Sequence, residues 1–472
     1  MHRLSGMDQG FLALELPVQP MHNMLLTILR TGPSEDSDTS PLTLDDLRQH
    51  VAARLDGLPW FRWRLVEVPF DLYHPVLIED PGFILEDHLY QVTLPKPGGR
   101  DELDRFCAQQ AGQHLDRSRP LWEMTLVDGL ADGRQAILFK NHHCMSDGRA
   151  ALFWWSQLFS ESPAEEIDAW RPEPVPGRMR LLRDAMRDYR RALRGFPRFA
   201  RKASRDASTA KKRRAELDVR VPEAWVDAPP GPLNNGFTVQ RGYARAQLSM
   251  DDVNAIRRVG GASVNDVVLT VVSEALRRYL CRRGGLPERS LVAGVIVGIE
   301  PPDAPPRLWG NRLTSMTTSL CTDIDDLWDR MRQIHDVTAA SRELLDLSGR
   351  SVIADGLQIV PPWFAKFVVR QGHRHRVRHP ERIGTNVVVS HFRGFSSPAT
   401  APALVEEAYF SGPPNGGVGV NISMWSYTDR LMITVATFMD SMDTPQELAE
   451  AIEAAMGDLG RRAQRENPSG TV

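Results

Sequence analysis

Apolar positions along the chain recur at two spacings. Leu44, Leu47, Val51 and Leu55 share one helical face behind Thr43-Leu-Asp-Asp46, a capping box that opens a helix. A second capping box, Ser263-Val-Asn-Asp266, opens a helix that ends near Gly284-Gly285. Thr444-Pro-Gln-Glu447 places an N-cap, a first-turn proline and a glutamate ahead of Leu448, Ile452, Met456 and Leu459. Shorter apolar runs at 135–140, 386–390 and 431–437 read as strands. Helices and strands are mixed in both halves, which predicts an α/β (α+β) fold of two lobes.

A different pattern separates the halves. Met179, Leu182, Met186, Tyr189, Leu193 and Phe196 form one apolar helical stripe among arginines. From Arg178 to Arg214 the segment holds fifteen Lys or Arg and three Asp, a charge of +12 that leaves -15 on the rest. The approach, Arg171-Pro-Glu-Pro-Val-Pro-Gly177, reads as a linker. Pro197 is expected to interrupt the helix, with a mobile polar run after it. The predicted division is therefore 1–175, a basic amphipathic linker helix at 176–220, and 221–472.

The chain has 472 residues, 25% of them charged and 42% hydrophobic, which excludes wholesale disorder and a disulfide-stapled miniature. Cys107, Cys144, Cys281 and Cys321 form no CxxC pair, which argues against a structural zinc site and fits a reducing compartment. The first residues show no secretory signal pattern. No run of 18 apolar residues is present, so no spanning helix is expected.

Candidate chemistry concentrates at Lys140-Asn-His142-His143-Cys-Met-Ser-Asp147-Gly148. A strand delivers two histidines into a turn that Asp-Gly closes. A histidine held there can serve as a general base near neutral pH, or both rings can simply pack in a loop. Asp147 can constrain the turn or pair with a cation, and Gly148 lets the backbone turn without a Cβ clash. Adjacent side chains off a strand end point apart and no third ligand is evident, so no metal or cofactor is expected. Asn265 and Asp266 admit two compatible readings: cap residues of a helix, or a helix start at a substrate channel.

His-His-x-x-x-Asp-Gly resembles the motif of chloramphenicol-acetyltransferase-like acyltransferases and peptide-synthetase condensation domains. Further landmarks are Leu4-Ser-Gly-Met-Asp8-Gln-Gly-Phe11-Leu12, Pro20-Met21-His22, Pro120-Leu121-Trp122-Glu123, Asn265-Asp266-Val-Val-Leu269, Gly310-Asn311 and Asn386-Val-Val-Val-Ser390. With Gly417-Val-Gly-Val-Asn421 and Tyr427 they resemble, in order, the bacterial wax ester synthase/diacylglycerol acyltransferase family. The family continues the Asn-x-x-x-Ser strand as Asn-Val-x-Gly-Pro, where this chain has His391-Phe-Arg393-Gly394-Phe395. Its Pro-x-Ser block is replaced by Ala293-Gly-Val-Ile-Val-Gly-Ile-Glu300.

The resemblance implies two acetyltransferase-like lobes, each a mixed sheet backed by helices, with the active-site channel between them. It implies acyl transfer from acyl-coenzyme A to diacylglycerol, giving triacylglycerol, with His143 as general base and His142 and Asp147 in support. Asn265 and Asp266 are candidates for binding substrate or its oxyanion. Wax ester synthesis on a fatty alcohol stays open, as do a condensation-type reaction and a low-turnover lipid-binding relative. Pro120-Leu121-Trp122, Asn421 and Tyr427 read as packing residues.

An enzyme that takes its acceptor from a bilayer is expected to sit peripherally on the inner membrane face or on lipid droplets, within the cytoplasm. The basic stripe reads either as a solvated helix covering the seam between the lobes or as a membrane contact, and Trp363-Phe-Ala-Lys-Phe-Val-Val-Arg370 with His373–His379 is a second candidate contact. No nucleic-acid motif accompanies the charge.

Overall fold

The computed structural model describes all residues except 35–36, 161–171, 173, 224–225, 237, 302, 380–382 and 467–472. The linker reading at Arg171 and Glu173 therefore lies outside the described residues. Two large sheets organise the chain. The first has the order β14 (Leu404–Ser411), β2 (His22–Arg30), β9 (Gln135–His142), β8 (Trp122–Asp128), β7 (Leu89–Thr93). The second has the order β10 (Arg241–Ser249), β16 (Arg430–Phe438), β15 (Val420–Tyr427), β13 (Val387–Phe395), β11 (Val292–Gly298), β12 (Leu313–Ser319). A small sheet joins β1 (His2–Arg3), β6 (Val76–Glu79) and β5 (Trp63–Val66), and β3 (Gly32–Ser34) pairs with β4 (Ser37–Thr39).

Eleven α-helices are described: α1 (Gly6–Leu14), α2 (Leu44–Ala52), α3 (Arg100–Ala111), α4 (Gly148–Leu158), α5 (Arg178–Glu216), α6 (Met250–Gly260), α7 (Val264–Arg282), α8 (Leu327–Ser348), α9 (Val352–Leu357), α10 (Pro362–Arg378) and α11 (Pro445–Glu466). The capping boxes at Thr43 and Ser263 form as expected, and Ser5 with Asp8 makes a third at the start of α1. Each such cap stabilises its helix by about 1 kcal/mol.

The second sheet packs one face on α7 and α11, with Val267, Leu276, Ile452 and Ile433 in a shared core. Its other face gives Tyr243, Trp425 and Tyr427 to the core of the first lobe. Strand β14 departs from a division by sequence. It leaves the second half and pairs antiparallel with β2, from Leu404 opposite Arg30 to Ser411 opposite Met24. The first sheet is thus completed by the second half, and the lobes share backbone hydrogen bonds as well as side-chain packing.

Helix α5 corrects two expectations. It runs from Arg178 to Glu216 without a break at Pro197. The proline removes one donor, at a cost of about 3 kcal/mol, but both ends of the helix are docked. Leu181 packs with Val76 and Ile78, Ala185 packs with Val68 and Tyr73, and Arg213 pairs with Glu343 on α8. The run after Pro197 is therefore helical. The face that docks is also not the whole apolar stripe. Leu181 and Ala185 are buried, Leu182 and Tyr189 half-buried, and Met179, Met186, Leu193 and Phe196 exposed.

No single helix among the described residues is long and apolar enough to cross a membrane. The pair α6 and α7 has the composition for one, but it bends by 102° and most of α7 is buried in the second core.

Candidate active site

Strand β9 carries His142 at its last position, directly opposite His22 at the first position of β2. The chain then turns through His143 to Ser146 before Asp147 caps α4. Buried amides hold this turn. Asn23 Nδ2 donates to the Ser146 carbonyl at 2.9 Å, and Asn141 Nδ2 to Ser146 Oγ at 3.1 Å. The His143 N–H donates to the Met21 carbonyl at 2.7 Å. Its own carbonyl accepts from Asn311 Nδ2 at 2.8 Å. Asn311 is fixed in turn by Asp8, whose Oδ1 accepts from its backbone and side-chain nitrogens, both at 2.8 Å. The landmarks at Asp8, Met21-His22 and Gly310-Asn311 thus converge on the backbone of His143.

The His143 ring stacks on Phe11 of α1, with centroids 3.8 Å apart and planes 8° apart. Burial lowers its pKa to about 4, against the opposing pull of its own carbonyl and the Asp147 charge. It is therefore neutral at pH 7 and able to accept a proton. Its Nδ1 is buried without a hydrogen-bond partner.

His142 has a different environment. Its Nδ1 accepts from the Cys144 N–H at 3.1 Å, so in the neutral ring Nε2 carries the proton. That nitrogen lies 3.6 Å from Glu15 Oε2. Glu15 also faces His22 Nε2 at 3.5 Å and His114 Nδ1 at 3.2 Å, and accepts from Arg117. Burial alone would raise the Glu15 carboxyl, but His142, His22 and Arg117 hold it well below the usual carboxylate range. Burial lowers His22 to about 3. The negative charge of Glu15 therefore faces the Nε2 side of the His142 ring.

Asp147 is fully engaged by structure. Its Oδ1 accepts from the Ala150 N–H at 3.0 Å, and its Oδ2 accepts from Arg307 Nη2 and the Arg312 N–H, both at 2.7 Å. Gly148 is the first residue of α4. A Cβ there would lie 3.0 Å from the Phe392 ring, so close approach of β13, rather than the turn itself, calls for glycine. This puts Phe392, within His391-Phe-Arg393-Gly394-Phe395, against the motif. His391 itself is lowered to about 4 by burial.

Asn265 and Asp266 lie apart from this cluster. Asp266 Oδ2 accepts from the Ser263 N–H and Oγ–H, both at 2.8 Å, and from His335 Nδ1 at 2.8 Å. It borders a separate cavity of ≈ 570 Å³. Asn265 Nδ2 is buried and unpartnered. Among the described residues no hydrogen bond, ion pair or ring contact joins either residue to His143. The packing residues sit as expected: Trp122 is buried and donates to the Phe61 carbonyl, and Tyr427 donates to the Val405 carbonyl. Asn421 donates to the Pro413 carbonyl at 3.1 Å. No group of His, Cys, Asp or Glu among the described residues has a metal-holding arrangement.

A cavity of ≈ 1040 Å³ opens beside the motif. Asp8 and Tyr73 from the first half, Arg307 and Asn311 from the second, and Arg191 from α5 all contribute to its wall. Glu15 and Arg307 carried no signal in the sequence. Each lies in a connecting segment, and the contacts that tie it to the motif, Glu15 to His142 and Arg307 to Asp147, form only across the fold.

The chain is similar to known proteins over nearly all of its length. The family model for the wax ester synthase/diacylglycerol acyltransferase catalytic domain matches residues 4–268, and the corresponding C-terminal domain matches 309–460. A chain of Mycobacterium tuberculosis strain H37Rv that carries the name diacylglycerol O-acyltransferase is 32% identical over 468 residues, covering 98% of this chain and 97% of that one. The wax ester synthase/diacylglycerol acyltransferase from Marinobacter aquaeolei VT8 superposes with a TM-score of 0.63 at 25% identity, covering 98% and 99% of the two chains. The first condensation domain of the CDA synthetase shares the fold, with a TM-score of 0.57 at 14% identity over 100% of this chain and 97% of that one. With two family domains spanning the motif and both lobes, the chain belongs to the wax ester synthase/diacylglycerol acyltransferase family and is an acyltransferase.

Proposed function

We propose that this acyltransferase moves a long-chain fatty acyl group from acyl-coenzyme A to diacylglycerol, forming triacylglycerol, with His143 as general base. The observation that carries the reading is the state of His143. It is neutral at pH 7, its backbone is tied to both lobes through Met21 and Asn311, and its ring is immobilised on Phe11. An alcohol hydroxyl has a pKa far above 7 and needs a base as it attacks. With Nδ1 buried, Nε2 takes the hydroxyl proton. The alcohol oxygen adds to the thioester carbonyl, the C–S bond breaks, and the coenzyme A thiolate recovers the proton from the imidazolium. No acyl-enzyme is needed, and burial raises the Cys144 thiol well above its usual range. Asp147 is assigned to holding the loop. Asn265 and Asp266 are assigned to the start of α7.

The test is direct. Purified protein is given labelled palmitoyl-coenzyme A with diacylglycerol or with hexadecanol, and neutral lipids are resolved by chromatography. Labelled triacylglycerol supports the reading. Wax ester alone would shift the acceptor to a fatty alcohol, and no labelled product would remove the activity.

The acceptor is water-insoluble, and the outer surface fits a peripheral membrane contact. Trp363, Phe364, Phe367 and Val368 of α10 are all exposed, as are Met186, Leu193 and Phe196 of α5. Between these helices a short turn, Pro69–Asp71, presents Phe70 at 80% exposure with φ 64°. A bulky residue in that backbone region costs about 1 kcal/mol or more, and the site gains from burying the ring in lipid. Arginines along α5 suit anionic head groups.

A further inference from the structure

The cavity beside the motif has a charge distribution that nothing so far explains. Arg3, Arg191, Arg307 and Arg312 contribute to its wall, against Asp8 and Asp188. Both carboxylates are already engaged. Asp8 is buried and accepts from Ser5 and Asn311. Asp188 accepts from Arg3 Nε at 2.8 Å. Arg307 pairs with Asp147 at 2.7 Å and Glu300 at 3.0 Å. The guanidinium groups of Arg191 and Arg312 have no carboxylate or carbonyl within hydrogen-bond reach among the described residues, and both side chains are exposed.

We propose that Arg191 and Arg312 bind the phosphate groups of the acyl donor, the diphosphate and 3′-phosphate of coenzyme A. This rests on the acyl-coenzyme A reading above. Three features support it. The guanidinium fork matches phosphate oxygens, and a charge-assisted contact of this kind is worth about tenfold or more in affinity. The volume of ≈ 1040 Å³ suits a nucleotide-sized group, and the half-buried Trp309 gives the wall aromatic surface against which a base can pack. The site also adjoins the loop that carries the base. Arg312 follows Asn311, whose side chain donates to the His143 carbonyl, so phosphate binding and the position of the catalytic loop share one short segment. Its backbone N–H meanwhile donates to Asp147. A phosphate ester on a lipid head group has the same chemistry, and the experiment separates the two sources.

Isothermal titration calorimetry with the full-length protein, free of lipid, measures coenzyme A, 3′-dephospho-coenzyme A and pantetheine. Arg191→Gln with Arg312→Gln should weaken coenzyme A at least about tenfold, with a smaller loss for dephospho-coenzyme A and none for pantetheine. Both arginines are exposed and unpaired, so circular dichroism and melting temperature should match wild type. As a second readout, the preference in kcat/KM for palmitoyl-coenzyme A over palmitoyl-pantetheine should fall by about tenfold or more. No coenzyme A binding by the wild type, or an unchanged Kd in the double variant, overturns the proposal. So does a double variant that loses only its attachment to vesicles containing phosphatidylglycerol, since the phosphate would then be a lipid's. Wild type that binds coenzyme A through these arginines yet acylates neither diacylglycerol nor hexadecanol would remove the proposed function and leave this site standing.

Discussion

Arg307 and Asp147 meet at 2.7 Å, and through this ion pair the loop after β11 is locked to the last acidic residue of the His-His-Asp-Gly motif. Their side chains are 16% and 6% exposed, so water screens the pair only in part. The same Asp147 oxygen accepts from the Arg312 N–H, next to the Asn311 that holds the His143 carbonyl.

Asp147→Asn keeps an oxygen to cap α4 but sets a neutral amide against the Arg307 guanidinium. The expected cost is about 2 kcal/mol, seen as a lower melting temperature with turnover falling alongside. An Asp147→Asn protein as stable as wild type yet inactive would give Asp147 a direct part in the chemistry.

His143→Ala removes the proposed base. Turnover should fall by about 10²–10⁴-fold, with an unchanged far-ultraviolet circular dichroism spectrum. A folded variant that keeps more than about a tenth of the rate would put the base elsewhere. His142→Ala takes away the acceptor for the Cys144 N–H and should act through stability, at about 1–3 kcal/mol.

The pH profile follows from the same ring. Burial places His143 near 4, so the neutral, active form persists throughout the neutral range. kcat/KM should be flat from about pH 8 to about pH 5.5 and fall on an acid limb with its midpoint near 4. A midpoint near 6.5 would mean the ring is solvated during turnover.

Stability should depend on pH more strongly than activity does. Burial lowers His22 to about 3, and His74, His143 and His391 to about 4. Between those values and the ordinary 6.5, the unfolded chain binds protons that the folded chain refuses. Stability is therefore complete above about pH 6.5 and declines as pH falls toward 4. Thermal melts across that window should show a steady drop, and His74→Gln should flatten it. A melting temperature constant from pH 7 to 5 would contradict these assignments.

Peripheral binding is tested by flotation. Each arginine at an anionic surface is worth about 1 kcal/mol. Arg190→Gln with Arg194→Gln and Arg198→Gln should weaken flotation with anionic vesicles, and Phe70→Ser should weaken it with neutral ones too. High salt should reverse the anionic component. Equal flotation of all variants would leave the exposed ridge without a membrane role.

Local signals in the sequence carried much of this molecule. The caps at Thr43 and Ser263 are complete within four residues, so their helices begin where the side chains say. The motif was legible for the same reason: a strand, two histidines and an Asp-Gly stop lie in one short run, and Asp147 proved to be the N-cap of α4. Only the tertiary structure decided the rest. Pro197 signals a break to any local reading, yet docking at Leu181, Ala185 and Arg213 carries the helix through it. Periodicity fixed the apolar stripe of α5 but not which of its residues would meet the first lobe, because that depends on where Val68, Val76 and Ile78 lie. Glu15, Arg307 and the transfer of β14 into the first sheet were invisible along the chain. Asp147 lies 160 residues from Arg307, Arg117 and His142 about a hundred or more from Glu15, and β2 belongs to the other half from β14, so each role appears only when folding brings these segments together.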